Sequence, residues 1–184
     1  MKKLRAKGKR YTSIVKVAIA ILANLFCKRS VFRDMVVGIQ SIRQLIEKRR
    51  QKRQIMPLES TLIKLSEKGY QLNDLQRNFL KAYDGIEIGF NSPRAQGYRE
   101  KLVINASKVA GTVLRYMVEE YEEHTEKKLL IVGEIPEEDM SIYISEDGFF
   151  YGCNGDILID FGDSFERFVY IIINGVEMKL EILD

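Results

Sequence analysis

One histidine and two cysteines are the chain's whole supply of imidazole and thiol. His124 stands in the polar stretch Tyr121-Glu122-Glu123-His124, with no nucleophile near it in sequence. A general base must reach the proton it removes, so the simple expectation for His124 is a surface side chain. Cys27 and Cys153 lie far apart in dissimilar surroundings, which argues against a disulfide framework and for a reducing, cytoplasmic setting. No Cys-x-x-Cys, His-Glu-x-x-His, P-loop or dinucleotide glycine pattern occurs. Asp156, Asp160 and Asp163 are spaced like a set of acidic ligands, but the residues between them read as an apolar strand, whereas a calcium loop needs loop geometry. Asp156 is expected in a turn and Asp163 as a helix cap. The expectation is therefore no catalytic residue, no metal, no cofactor and no small-molecule substrate.

Charge is the other chemistry available. The net charge of +3 hides a division: residues 1–54 carry 16 Lys/Arg against Asp34 and Glu47, and residues 55–184 carry 13 against 24 acids. Eight of these acids form two runs, Glu119, Glu120, Glu122, Glu123 and Glu126, then Glu137, Glu138 and Asp139. Carboxylates at a helix C-terminus oppose the helix dipole, so the first run is unfavourable where the helix pattern puts it. Such a surface suits a basic protein partner, although a solvated acidic face is the commoner reason for a charge run. The basic leader and Lys48-Arg49-Arg50-Gln51-Lys52-Arg53 suit an anionic membrane, nucleic acid or an acidic partner through sequence-independent attraction. Ile14 to Cys27 is apolar apart from Lys16 and Asn24. It is shorter than the ~20 residues of a membrane span, which leaves a packed helix and interfacial insertion as equal alternatives. The internal methionines Met35 and Met56 leave open whether the leader is a start-site extension.

Around these residues the elements follow from periodicity. Val31 to Ile46 is patterned as an amphipathic helix. Pro57 and Gly69 bracket a short helix with Leu58, Leu62 and Leu65 on one side. An Asn73-Asp74 cap opens another, with Leu75, Phe79, Leu80 and Tyr83 inward and Asp84-Gly85 as its stop. Ile86, Ile88 and Phe90 alternate as a strand, and a polar loop follows through Arg99. Leu102 to Tyr121 is patterned as the longest helix, with Gly111 inside it at ~1 kcal/mol relative to alanine. Leu129 to Val132 suits a buried strand. Met140, Ile142 and Ile144 form the next, and Asp147-Gly148 is expected to supply a positive-φ pair for a tight hairpin back through Phe149 to Tyr151. Ile157, Ile159 and Phe161 alternate with Leu158 and Asp160 up to Gly162. Asp163 with Glu166 has the spacing of a capping box for a helix from Ser164 to Ile173, ended by Asn174-Gly175. Val176 to Ile182 alternates as a last strand.

The order Val132-Gly133-Glu134, a hairpin strand, Gly148 followed by Tyr151, an apolar strand, Gly162-Asp163-Ser164-Phe165 and a helix ending at Gly175 resembles the C-terminal half of the SUKH superfamily, in its third immunity-protein subgroup. Gly69-Tyr70, Phe79-Leu80 and Tyr83-Asp84-Gly85 extend the resemblance over roughly Pro57 to Gly175. What the resemblance implies is a domain that binds and neutralises a toxin of a bacterial competition system by occlusion, without catalysis. Eukaryotic cell-wall regulators of the same superfamily offer an adaptor role as the alternative. The fold expected is α+β over residues 57–184, a mainly antiparallel sheet packed with helices, preceded by a basic helical extension over residues 1–56.

Overall fold

The computed structural model describes residues 38–53, 57–178 and 180–183. The chain divides into two compact units, Met1–Ser41 and Ile42–Asp184. In the first, residues 38–41 are helical. All that follows concerns the second.

Six α-helices and seven strands occur among the described residues. Residues 38–50 form α1, of which 42–50 belong to the second unit. Then come α2 (Leu58–Glu67), α3 (Asp74–Tyr83), β1 (Glu87–Asn91), β2 (Arg99–Ile104), α4 (Ala106–Val109), α5 (Arg115–Thr125), β3 (Leu129–Ile135), β4 (Met140–Ser145), β5 (Phe150–Asn154), β6 (Ile157–Gly162), α6 (Phe165–Asn174) and β7 (Leu180–Ile182). A 3-10 turn, Pro136–Glu138, joins β3 to β4. The sheet is a meander in sequence order, every neighbouring pair antiparallel. This is the α+β architecture that the sequence predicts.

Because side chains alternate across a strand, the register assigns two faces. Ile144 opposite Phe150, and Gly152 opposite Ile159, put Ile142, Ile144, Phe150, Ile159 and Phe161 on one face. On that face Phe79 of α3 lies edge-on to Phe150 and to Phe165 of α6, each at 5.3 Å, and Phe168 stacks on Phe150 at 5.7 Å. Such ring pairs add ~0.5–1.5 kcal/mol each beyond the area they bury. Tyr143, Tyr151, Cys153 and Leu158 occupy the other face, where Tyr121 of α5 meets Tyr143 edge-on at 5.7 Å. Both faces of the central strands are thus covered, and β3 is buried nearly throughout. Ile42 and Ile46 of α1 are buried in the same core.

Several expectations are corrected. The helix read over Leu102 to Tyr121 is a strand, a single helical turn and a shorter helix. Residues 99–104 pair with both β1 and β3, and that pairing overrides a local pattern that suits either structure. The Asn105 side chain then accepts Lys108 N–H at 3.1 Å and starts α4, while Gly111 falls in the turn after it. The cap of α6 is Ser164, whose hydroxyl accepts Arg167 N–H at 3.3 Å, rather than Asp163. Of Asp147-Gly148 only Gly148 has a positive φ, +93°. Leu75 is exposed and Gln76 is buried in its stead, because Gln76 completes the Asn73 capping box and donates to Ile144 O at 3.1 Å. The last strand is confined to Leu180–Ile182. The stretch 31–37 of the amphipathic pattern and the apolar run Ile14 to Cys27 lie outside the described residues.

Candidate functional site

The first acidic run lies on α5 and its exit. Glu119, Glu120, Glu123 and Glu126 are exposed. Glu122 is only 6% exposed and serves the fold. Its carboxylate receives Arg115 Nη2 at 2.9 Å, Lys128 Nζ at 2.8 Å and Leu129 N–H at 3.1 Å. Burial alone would raise its pKa, but these three donors together hold it below the usual glutamate value. Arg115 also lies over the Tyr70 ring at 4.9 Å, and burial pushes the Tyr70 hydroxyl up to about 12. The pairing answers the unfavourable dipole position: cations and a strand amide surround the one acid of the run that is withdrawn from water.

Two shallow depressions flank this helix. Glu119, Glu123 and Glu126 line one of about 400 Å³ with Lys127, Lys128 and Glu146. Glu120, Glu123, His124 and Asp156 line another of about 630 Å³. His124 Nε2 sits 3.3 Å from Glu181 Oε2 at the surface, with no serine, threonine or cysteine among the described residues that line that depression.

The second run is at the opposite end of β3, a strand of seven residues that spans ~20 Å at strand rise. Glu137 accepts Lys101 N–H at 3.2 Å, Glu138 pairs with Arg94 at 2.9 Å, and Asp139 takes a left-handed φ of +50° after the 3-10 turn. Burial raises the Glu138 carboxyl, with Arg94 opposing and the neighbouring Glu100 adding to the rise. Glu100 is 9% exposed, and its Oε2 has no hydrogen-bond partner. The two acidic runs are thus two patches, not one surface.

Cys153 is buried in the sheet, and burial pushes its thiol up, away from the reactive thiolate. Asp160 turns its carboxylate onto Gly162 N–H at 2.7 Å, and Asp156 lies in the β5–β6 turn region. No group of three or more His, Cys, Asp or Glu residues that could hold a metal occurs among the described residues. No helix among them is long and apolar enough to cross a membrane.

The marker residues read from the sequence sit at turns and close approaches. Gly69, Gly85, Gly148 and Gly162 have positive φ, and Gly175 caps α6 at +61° with Pro93 packed against it. Gly133 is different: a β-carbon there would collide with the carbonyl oxygen of Val103 across the β2–β3 pairing. Sequence reasoning missed the buried Gln76 and Glu100 and the half-buried Arg115. Arg115, Glu119 and Glu122 have helical spacing, but the signal is legible only once α5 is known to begin at Arg115.

The sequence model of the SUKH-3 immunity protein family matches residues 45–175. The chain belongs to that family. The match spans α1 from Leu45 to the Gly175 cap, so the SUKH-3 region includes the basic end of α1 as well as the sheet. Comparisons with curated proteins and with solved structures give no match. For a SUKH-3 immunity protein the implied partner is a cognate toxin.

Proposed function

We propose that this chain neutralises its cognate bacterial toxin by occlusion, covering the toxin's active site or substrate channel without chemistry of its own. The observation that carries the reading is the SUKH-3 match over residues 45–175. The partner is a basic toxin domain, such as one acting on nucleic acid, because Glu119, Glu120, Glu123 and Glu126 stand exposed on one helix and its exit. Glu137, Glu138 and Asp139 form a second, smaller contact at the far end of β3. Association of this kind rests on shape and charge complementarity. The place of action is the cytoplasm. The test is co-expression of the toxin domain encoded beside this chain, with and without the chain: survival only in its presence is expected, and equal killing in both overturns the reading.

A second activity rests on the +14 of residues 1–54. Lys48, Arg49, Arg50 and Lys52 are exposed, whereas Arg53 is tied to the carbonyls of Lys81 and Ala82. We propose contact with anionic lipid or nucleic acid through this segment. The full chain should co-sediment with anionic liposomes or with DNA more strongly than a variant in which the exposed Lys48, Arg49, Arg50 and Lys52 are glutamine; equal sedimentation removes the idea.

A further inference from the structure

We propose that β7 is a docking edge for an extended segment of the toxin in which apolar and basic side chains alternate. The proposal rests on the toxin-neutralising reading and adds where and how the toxin is held. β7 is the last strand of the sheet. Leu183 N–H donates to Asp156 O at 2.8 Å, which makes that pair a hydrogen-bonded one. In an antiparallel ladder such pairs alternate with pairs whose backbone groups point away. Leu158–Glu181 is therefore the next bonded pair, and Leu180 and Ile182 direct their N–H and C=O outward from β6. A two-residue stretch of ladder to which no strand pairs among the described residues is the template that an added strand uses.

The two sides of that edge differ in chemistry. Leu180 and Ile182 are 56% and 74% exposed, and their cross-strand partners are Ile159 and Ile157. Beside them the end of α6 and the segment after it leave a mainly apolar groove of about 770 Å³, lined by Ile172, Val176 and Met178 and also by the paired Arg94 and Glu138. On the opposite side of the sheet stand Glu181 and Asp156, with Glu120 and Glu123 of α5 around His124. An incoming strand sends alternate side chains to opposite faces. Its apolar residues enter the groove, and the residues between them face four carboxylates and one histidine. Lysine or arginine at those positions completes the charge.

The same charges disfavour a second copy of this chain. A two-fold antiparallel pairing through the outward groups of Leu180 and Ile182 places Glu181 directly opposite the partner's Glu181, and like charges so placed repel.

The test uses the full chain and the toxin domain encoded beside it, with binding followed by calorimetry. Leu180→Pro removes an outward N–H while leaving the bonded β6 pairs intact; Ile182→Asp puts a charge over the groove at a well-exposed position. Ile63→Asp, exposed on α2, is the control. Both edge variants should weaken binding by roughly tenfold or more, with the control unchanged. An acetylated alternating Val-Lys octapeptide should compete, and a block peptide of the same composition or an alternating Val-Glu peptide should not. Wild-type-like binding by Ile182→Asp and by folded Leu180→Pro overturns the edge and leaves the toxin reading standing. Absence of binding by the wild type overturns the toxin reading, and this use of the edge with it. A dimer in analytical ultracentrifugation that Leu180→Pro abolishes replaces the toxin segment with a second copy and overturns the proposal.

Discussion

Glu122 shows how a residue can stand in a run of surface acids and yet belong to the interior. Its neighbours Glu119 and Glu123 are exposed, while Glu122 holds Arg115, Lys128 and the first amide of β3 together. Replacing it by glutamine leaves the half-buried Arg115 guanidinium with only the exposed Glu119, at 3.6 Å, as a carboxylate partner. Such a loss costs ~1–3 kcal/mol, whereas Glu123→Gln should stay within about 0.5 kcal/mol. Urea unfolding at neutral pH separates the two. The pH dependence has a definite sign. A carboxylate whose folded pKa is depressed contributes stability above its ordinary value and loses it as pH falls through the folded one. The stability gap between wild type and Glu122→Gln should therefore be full at neutral pH and close below about pH 4.5, the ordinary value for this group. Asp84 and Glu138 are raised instead, chiefly by burial. Their contribution is present below the ordinary carboxylate range and lost as pH rises through the raised values. They are common to both proteins and cancel in the difference, so a gap that persists unchanged to pH 3 would contradict the account of Glu122.

At the scale of the element, the sequence is legible where local chemistry and pairing agree. β3, the β4–β5 hairpin, β6 and α6 all lie where alternation, Gly148, Gly162 and Gly175 put them. Leu102 to Tyr121 is not legible, because Lys101-Leu102-Val103-Ile104 followed by Ala106, Val109 and Ala110 satisfies a helical stripe and a strand equally. Only the partners β1 and β3, distant in sequence, decide it. The acidic patches were legible by residue and not by arrangement: nothing local reveals that Glu122 is withdrawn or that β3 holds Glu137 ~20 Å from Glu126. Two substitutions test the element-level account. Ser164→Ala removes the side-chain acceptor of α6 and should cost ~1 kcal/mol. Asp163→Ala loses only a favourable charge near the helix start, a few tenths of a kcal/mol. Thermal melts that rank them the other way would return the cap to Asp163. Gly133→Ala drives a methyl into the Val103 carbonyl where β2 meets β3. Overpacking of that kind costs ~1–3 kcal/mol, and loss of β2 amide protection in hydrogen exchange should accompany it.

For the whole molecule the consequence of charge is a rate. Residues 55–184 carry 24 acids against 13 Lys/Arg, yet many acids of the fold are already engaged: Glu134 with Lys108, Glu138 with Arg94, Asp147 with Lys127, Glu122 with Arg115 and Lys128. The field over α5, where the proposed basic toxin would approach, comes largely from Glu119, Glu120, Glu123 and Glu126, and Glu119 is shared with Arg115 at 3.6 Å. Exposed charges of this kind steer encounter more than they hold the complex, and at ~0.15 M salt they are screened beyond ~8 Å. Converting Glu119 and Glu126, the two that do not border the β7 edge, to glutamine should slow association with the cognate toxin severalfold at low ionic strength and leave dissociation nearly unchanged. The difference in association rate should vanish as salt approaches ~1 M, where the screening length is ~3 Å. The β7 edge predicts the complementary pattern. Ile182→Asp acts on contacts made after encounter, so its effect should fall on dissociation and persist at high salt. Stopped-flow measurement of both variants across a salt series distinguishes steering by α5 from holding by β7, and a salt-independent defect in the variant lacking Glu119 and Glu126 would place those two acids in the bound interface itself.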